Sequence, residues 1–390
     1  MIYNFRNILF FYVISLTTSY LQAQNTVKQV VLLNDINIQI DASSALDDMY
    51  NFKFDAAEVK YNKIKKNYPW HPLPYFLLGL SEWWKIMPNP NDESYDKSFL
   101  AYMDTTITIC KNLLKKRKEY EVEASFFLSS CYGFIGRLES MEERKNWTKS
   151  AFAGKNALKY LEKSKGQEGL SPELLFGDAI FNYFSVWVSE NYAILRPVVA
   201  MFPDGDKELG LKQLTEVATT AFYTRVEANV FLMMILNSYE NNRPRALVIG
   251  ELLNKSYPDN PYFHRYYARL LYSNGKYGKC EKESLKILQR IDSGKIGYEH
   301  NSGRYAGFFL GQVYQAQKKD DKAKKHYGIA IKHAEALKMH ESGYYLYSLL
   351  YYGKLLKKEG KKKEAIEYFK KVKKYASRSH RAHKEARKEL

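Results

Sequence analysis

A few histidine and acidic side chains are the first places in this sequence where residue type and spacing could support chemistry. His326 and His333 lie seven residues apart and could share a helix face with His340, which would allow metal binding. No carboxylate or cysteine completes that ligand set, so we interpret the three as parts of a solvated helix face. His340-Glu341 begins like a zinc-protease helix, but Tyr344 stands where the second histidine is needed. We therefore expect no metal site.

Motifs for covalent or cofactor chemistry are equally weak. Ser94 and Lys97 have the spacing of a penicillin-binding nucleophile, but the partner motifs of that class do not occur. Neither a Gly-x-Ser-x-Gly elbow nor a glycine-rich phosphate or dinucleotide loop is present. The paired carboxylates Asp320-Asp321 precede a helical pattern, where they would cap the helix. The sequence predicts a protein that is not an enzyme and that uses no cofactor.

Composition favours an ordered chain with an extended architecture. Its 390 residues exceed what one compact core usually holds, so two or three domains or one repeat array are expected. The chain is 45% hydrophobic and 15% aromatic with 11 prolines, which excludes disorder and disfavours a sandwich of short strands. The net charge of +17 is concentrated at one end, since residues 315–390 carry 22 Lys or Arg and 9 Asp or Glu.

The three cysteines, Cys110, Cys131 and Cys280, form an odd set without short spacings. This pattern implies neither a metal site nor a dense disulfide framework. A disulfide between Cys110 and Cys131 is conceivable in an exported protein. The preferred interpretation is three small, buried, apolar side chains.

The N-terminus carries the pattern of a secretory signal. Arg6 precedes an apolar run at residues 8–21, and Ala23 offers a small residue at the cleavage position. Because this run is too short to span a bilayer, a cleaved signal peptide over 1–23 is favoured over a permanent anchor. We expect an exported protein in a periplasm or cell envelope, either soluble or peripherally bound.

Beyond the signal, apolar residues recur at spacings of three and four, with breaks at Asn, Gly and Pro, which predicts helix after helix. The helices also repeat. Gly311 is followed by Ala323 after twelve residues, and Gly353 by Ala365 at the same offset, with an aromatic residue four positions further on in both cases. Small residues would let paired helices approach closely, while aromatic rings would fill the space between pairs.

These offsets resemble the tetratricopeptide repeat, whose pattern is a Gly-x-x-Tyr step, then Ala-x-x-x-Phe and a closing Pro. The resemblance implies an all-α, right-handed superhelical solenoid of antiparallel helix pairs over residues 24–390. The best matches are 227–260, 261–294, 304–337 and 346–379, and degenerate repeats cover 38–220. Residues 175–214 loosely resemble the inclusion-body clearance branch of this superfamily. The positions assigned to repeat packing are Ala57, Pro69, Gly79, Ala246, Pro258, Ala268, Gly311, Tyr314, Ala323, Gly353, Ala365 and Phe369.

Such arrays bind extended peptides or a partner helix on the concave surface formed by the first helix of each pair. We therefore expect partner proteins or peptides, and a scaffold or assembly role. The side chains expected to line the groove are Arg265, Arg269, Tyr272, Gln312, Gln315, Lys354 and Lys357. Trp83-Trp84 and the tyrosines of residues 344–352 could stack on a sugar or peptide, but we expect most of them in the core.

Two other functions remain open at this point. An envelope hydrolase could place its site in the poorly matching residues 88–204. Alternatively, the basic C-terminal helices, within residues 354–388, could attach the protein to an anionic membrane surface, although they are also typical of a solvated helix face. Nucleic acid is not expected as a partner, because no recognised binding motif occurs.

Overall fold

The computed structural model describes residues 32–193, 196–200 and 202–390. The predicted signal peptide, residues 1–23, lies outside the described residues. The described chain is helical and contains no β-strand, and none of its helices is long and apolar enough to cross a membrane. Besides short 3-10 turns and the single turn Arg196–Val199, the helices are α1 Ile36–Tyr50, α2 Phe54–Asn67, α3 Leu73–Ile86, α4 Asp96–Lys116, α5 Glu121–Glu139, α6 Trp147–Ser164, α7 Leu175–Asn191, α8 Lys207–Thr220, α9 Arg225–Ser238, α10 Arg243–Ser256, α11 Pro261–Ser273, α12 Tyr277–Asp292, α13 His300–Ala316, α14 Asp320–Ala336, α15 Gly343–Lys358, α16 Lys362–Tyr375 and α17 Arg381–Glu389.

Helix starts follow local capping chemistry. The Asp35 carboxylate accepts hydrogen bonds from the backbone N–H groups of Asn37 and Ile38 at the start of α1. The Asn260 side chain does the same for α11, whose first residue is Pro261. Proline suits that position because its missing N–H is not needed in the first turn. These caps fix where α1 and α11 begin.

Consecutive helices pack in pairs, from α1 with α2 to α15 with α16, and α17 packs on the last pair. The protein is an all-α, tetratricopeptide-like solenoid. The predicted repeat 227–260 falls on α9 and α10, and 261–294 falls on α11 and α12. The predicted repeat at 304 starts inside α13, which begins at His300, because the last pairs have longer helices and connections.

Small residues lie at close contacts between paired helices. A Cβ atom on Gly311 would lie 2.5 Å from the ring of Tyr327, and one on Gly353 would lie 2.8 Å from the ring of Phe369. Ala323 of α14, the helix that carries Tyr327, is fully buried. Pro69 and Pro258 lie at the surface just after α2 and α10 end, where they prevent the helices from continuing. These glycines and this alanine thus lie inside helix pairs, and the two prolines lie just after a helix ends.

The first helices of distant pairs also contact one another. The indole of Trp84 in α3 packs on Phe263 in α11, with ring centroids 5.1 Å apart. Its Nε1 donates to Glu227 of α9 across 2.8 Å. Tyr50 at the end of α1 packs on Tyr257 with ring centroids 5.1 Å apart. One core therefore joins α1–α5 to α9–α11, and the solenoid turns back on itself.

Candidate functional site

Arg265 of α11 was expected on an open groove, but the structure places it inside the protein. Its side chain is only 3% exposed. Nη1 donates to the Pro88 carbonyl at 2.7 Å and Nη2 to the Met87 carbonyl at 3.1 Å. Because α3 ends at Ile86 and prolines follow, the chain continues as a loop that satisfies this guanidinium. Arg265 therefore anchors a segment of its own chain and is too deeply buried to contact a partner protein.

The same loop is held by α13. Asn301 Nδ2 donates to the Pro88 carbonyl at 2.9 Å, and Arg304 Nη2 donates to Asn301 Oδ1 at 2.8 Å. Together with Arg265, these bonds fix the connection between α3 and α4 against the inner faces of α11 and α13. The concave surface expected along the whole solenoid is filled at this point by the protein itself.

Beyond the loop, half-buried side chains cover the inner sides of α11, α13 and α15. We call this surface the tyrosine face; its members are Tyr266, Arg269, Tyr305, Tyr344, Tyr347 and Tyr351. The Arg269 guanidinium lies 5.8 Å from the ring of Tyr266. Tyr305 and Tyr344 have ring centroids 4.8 Å apart, and those of Tyr347 and Tyr351 are 5.9 Å apart. Arg269 is thus the groove candidate that lies on an accessible aromatic surface.

Three other groove candidates form hydrogen bonds within the protein. Tyr272 donates to Gln312 Oε1 at 3.2 Å. The Tyr327 hydroxyl donates to Gln315 Oε1 at 2.6 Å and accepts from the side chain of Gln312. Burial raises the pKa of Tyr327, so the network stays neutral. The network links α11, α13 and α14. The half-buried side chains of Tyr272, Gln312 and Gln315 border the tyrosine face.

The last two groove candidates are paired with the final helix. Lys354 Nζ lies 2.9 Å from Glu385 Oε2, and Lys357 Nζ lies 2.9 Å from Glu389 Oε2. The hydrogen bond from Lys354 lowers the pKa of Glu385. Helix α17 therefore covers this end of α15 and neutralises both lysines.

Sequence reasoning missed a buried acid at the closure of the solenoid. Glu227 of α9 accepts from the Trp84 indole, and the Tyr50 hydroxyl lies 3.4 Å from the same carboxylate oxygen. Burial raises the pKa of Glu227, and the positive charge of Arg137 partly opposes that shift. Nothing local in the sequence marks Glu227, because its hydrogen-bond partners Tyr50 and Trp84 are 177 and 143 residues away in the chain.

The histidines do not converge on one site. His326 stacks on Tyr314, His340 stacks on Tyr375, and His333 faces His300 with their Nδ1 atoms 2.9 Å apart. In the described residues, no group of three or more His, Cys, Asp or Glu side chains could hold a metal ion. The three cysteines are buried free thiols, and burial raises the pKa of each.

The burial of His326 predicts a pH-dependent stability. Its side chain is 8% exposed, and burial, followed by the nearby charges of Lys325 and Lys322, lowers its pKa to about 4. The unfolded chain takes up the proton at about pH 6.5, so this contribution is complete above that pH and is lost as the pH falls toward 4. We expect the Tm difference between pH 7 and pH 5 to shrink in His326→Gln. His383→Gln is the control, and an equal change in both variants contradicts the assignment.

The stretch considered for a hydrolase site continues the helical stack. Where the structure describes residues 88–204, they form α4 to α7 and their connections, with α5 packed on α6 and α7 on α8.

Comparison with known proteins finds structural similarity only. No protein-family model matches the sequence, and no curated protein sequence matches it. The structure is similar to a human IFIT1 dimer with PPP-AAAA, at 15% identity and a TM-score of 0.41, covering 82% of this chain and 67% of that one. It is also similar to yeast Tom70, at 13% identity and a TM-score of 0.35, covering 90% and 87%. A third similar structure is the P58(IPK) TPR domain, at 10% identity and a TM-score of 0.23, covering 90% of this chain and 97% of that one.

Proposed function

We propose that this protein is an exported scaffold or assembly factor that binds partner proteins on the tyrosine face. The observation that carries the proposal is the accumulation of half-buried tyrosine rings beside Arg269 on three successive first helices. Tyrosine and arginine are enriched in the parts of protein interfaces that contribute most affinity. They offer large, stiff contact surfaces that lose little conformational freedom on binding.

The position of this surface supports the same function. The loop at Pro88 fills the inner side near Arg265, whereas the rings of Tyr305, Tyr344 and Tyr347 keep part of their surface accessible. A partner segment would therefore lie along α11, α13 and α15. The rings already pack on one another, so little reorganisation is needed on binding.

Site-specific crosslinking in the native cell tests this function. A photo-crosslinking amino acid replaces Tyr347 on the tyrosine face, and in a matched control it replaces Tyr277, an exposed tyrosine of α12. We expect a discrete crosslinked protein only from position 347, and its yield should fall at least fivefold when Arg269→Glu is added. The same products from both positions, or no effect of Arg269→Glu, contradict the proposal.

Export is proposed from the N-terminal sequence. Arg6, the apolar residues 8–21 and Ala23 support cleavage after residue 23. Mass spectrometry of the native protein should find a first residue of Gln24 in the envelope fraction. An intact N-terminus in the cytoplasmic fraction contradicts export.

A second function, attachment to an anionic membrane surface, is supported by the exposed lysines of α16. Lys362, Lys363, Lys370, Lys373 and Lys374 are all exposed, whereas Lys354 and Lys357 are paired with α17. Each lysine close to an anionic surface contributes about 1 kcal/mol. We expect salt-sensitive binding to phosphatidylserine vesicles that is weakened by Lys373→Gln with Lys374→Gln. Binding that persists at 0.5 M salt, or no binding at low salt, removes this function.

A further inference from the structure

Arg265 and Arg304 lie buried beneath the tyrosine face and form a cluster with Arg269 of that face. The guanidinium of Arg265 lies 5.7 Å from the ring of Tyr305, and that of Arg304 lies 5.1 Å from the same ring. Arg304 is also 5.7 Å from the ring of Tyr344. Arg269 lies 5.8 Å from the ring of Tyr266, which packs on Tyr262 beside Arg265. Two of the three positive charges thus share the ring of Tyr305, and the third lies on the neighbouring pair of rings.

Within the described part of the chain, no acidic side chain forms an ion pair with this cluster. The arginines that form ion pairs, among the residues that the structure describes, are Arg117, Arg144, Arg290 and Arg381. Two acidic residues, Glu142 and Glu143, line the adjoining cavity. Glu142 is directed to Lys145, at 2.7 Å. The charges of the three arginines are therefore opposed only by ring faces, carbonyls and an amide.

Such an arrangement costs folding free energy. Arg265 is 3% exposed and Arg304 is 5% exposed, and both have a buried Nε without a hydrogen-bond partner. Guanidinium groups do not lose their proton in proteins, so deprotonation cannot remove the free-energy cost of burying the charge. Burial lowers the pKa of Arg304, and the charge of Arg265 lowers it further. A buried charge without a partner usually destabilises a protein by several kcal/mol.

A cavity adjoins the cluster. It has a volume of about 270 Å³, and Arg265 is the member of the cluster that lines it, together with Tyr262, Tyr266, Asn301 and Tyr305. This volume lies just below the range of about 300–1,000 Å³ for small-molecule pockets. It admits a small ligand but not a folded segment of a protein.

From this geometry we infer that Arg265, Arg269 and Arg304 form a binding site for a small, multiply charged oxyanion. Planar guanidinium groups bind phosphate and carboxylate oxygens through paired, charge-assisted hydrogen bonds. The tyrosine rings would exclude water and form the walls of the site. Asn301 and the Pro88 carbonyl fix the orientation of the arginines before the ligand arrives. This site goes beyond the proposed protein-binding function and requires no protein partner.

Calorimetry and thermal unfolding with two defined anions test the site. Pyrophosphate and citrate are each titrated into the wild-type protein, with sodium chloride at matched ionic strength as the reference. We expect at least one anion to bind and to raise the Tm well above the sodium chloride reference. Binding of pyrophosphate alone assigns phosphoryl groups, whereas binding of both assigns oxyanions in general. If neither anion binds, the inference is overturned.

Two variants separate binding from folding. Arg269→Gln removes one charge from a half-buried position, and we expect a loss of affinity of roughly tenfold or more. Arg304→Met removes a buried cation, so it should abolish the anion-dependent Tm shift and raise the Tm without anion. Lys115→Gln, which removes an exposed charge at the end of α4, is the control and should bind as the wild type does. Equal anion affinity in all three variants contradicts the site.

Discussion

Gly311→Leu is expected to lower the free energy of unfolding by about 3 kcal/mol. Even the Cβ of a new side chain would meet the Tyr327 ring at 2.5 Å, and that ring is fully buried between α13 and α14. The ring cannot swing away without breaking the hydrogen bonds of its hydroxyl with Gln312 and Gln315. Urea unfolding followed by circular dichroism measures the change.

Gly133→Leu is the matched control for this prediction. Gly133 also lies within a helix, α5, but no atom lies near the position that its Cβ would take. A leucine there has room, and it also favours the helix by up to about 1 kcal/mol relative to glycine. Equal destabilisation by Gly133→Leu and Gly311→Leu would show that helix pairs are not in the register described.

Trp84→Ala is expected to cost about 3–5 kcal/mol of folding free energy. The indole is 1% exposed and packs between Tyr50, Tyr262 and Phe263. Its removal also takes away the Nε1 donor from the buried carboxylate of Glu227. The loss should appear as a lower denaturation midpoint and as separate unfolding of the N-terminal helices.

Trp147→Ala controls for the general effect of removing an indole. Trp147 is 62% exposed at the start of α6, so little apolar area is lost from the core. We expect a change within about 0.5 kcal/mol. A comparable loss in both variants would mean that Trp84 does not connect α3 to α9 and α11.

The all-helical class and the pairing of helices could be predicted because they depend on local patterns. Small residues recur in the last two repeats at the positions of Gly311 and Ala323, and an aromatic residue recurs there at the position of Phe369. Few arrangements other than closely paired helices suit that pattern. The same logic anticipated that Trp83 and Trp84 are buried. Residues that differ from the pattern, such as those between α4 and α8, could be assigned only as helices.

The inner surface could not be predicted because distant segments determine it. Arg265 has the position of a groove residue in its own repeat, and nothing near it in sequence shows that the carbonyls of Met87 and Pro88 accept its hydrogen bonds. Lys354 and Lys357 were likewise expected to be unpaired. The sequence near them does not show that Glu385 and Glu389 of α17 lie beside them. An offset along the chain describes a repeat, but it carries no information on how far the solenoid turns.

The closure of the solenoid, on which both the buried loop and the arginine cluster depend, is tested most directly by a double-mutant cycle. Trp84→Leu and Phe263→Leu are made singly and together, and unfolding free energies are compared. The two rings touch only if α3 and α11 meet, and we predict a coupling of about 1 kcal/mol. Strictly additive effects would contradict the contact and, with it, the closed inner surface.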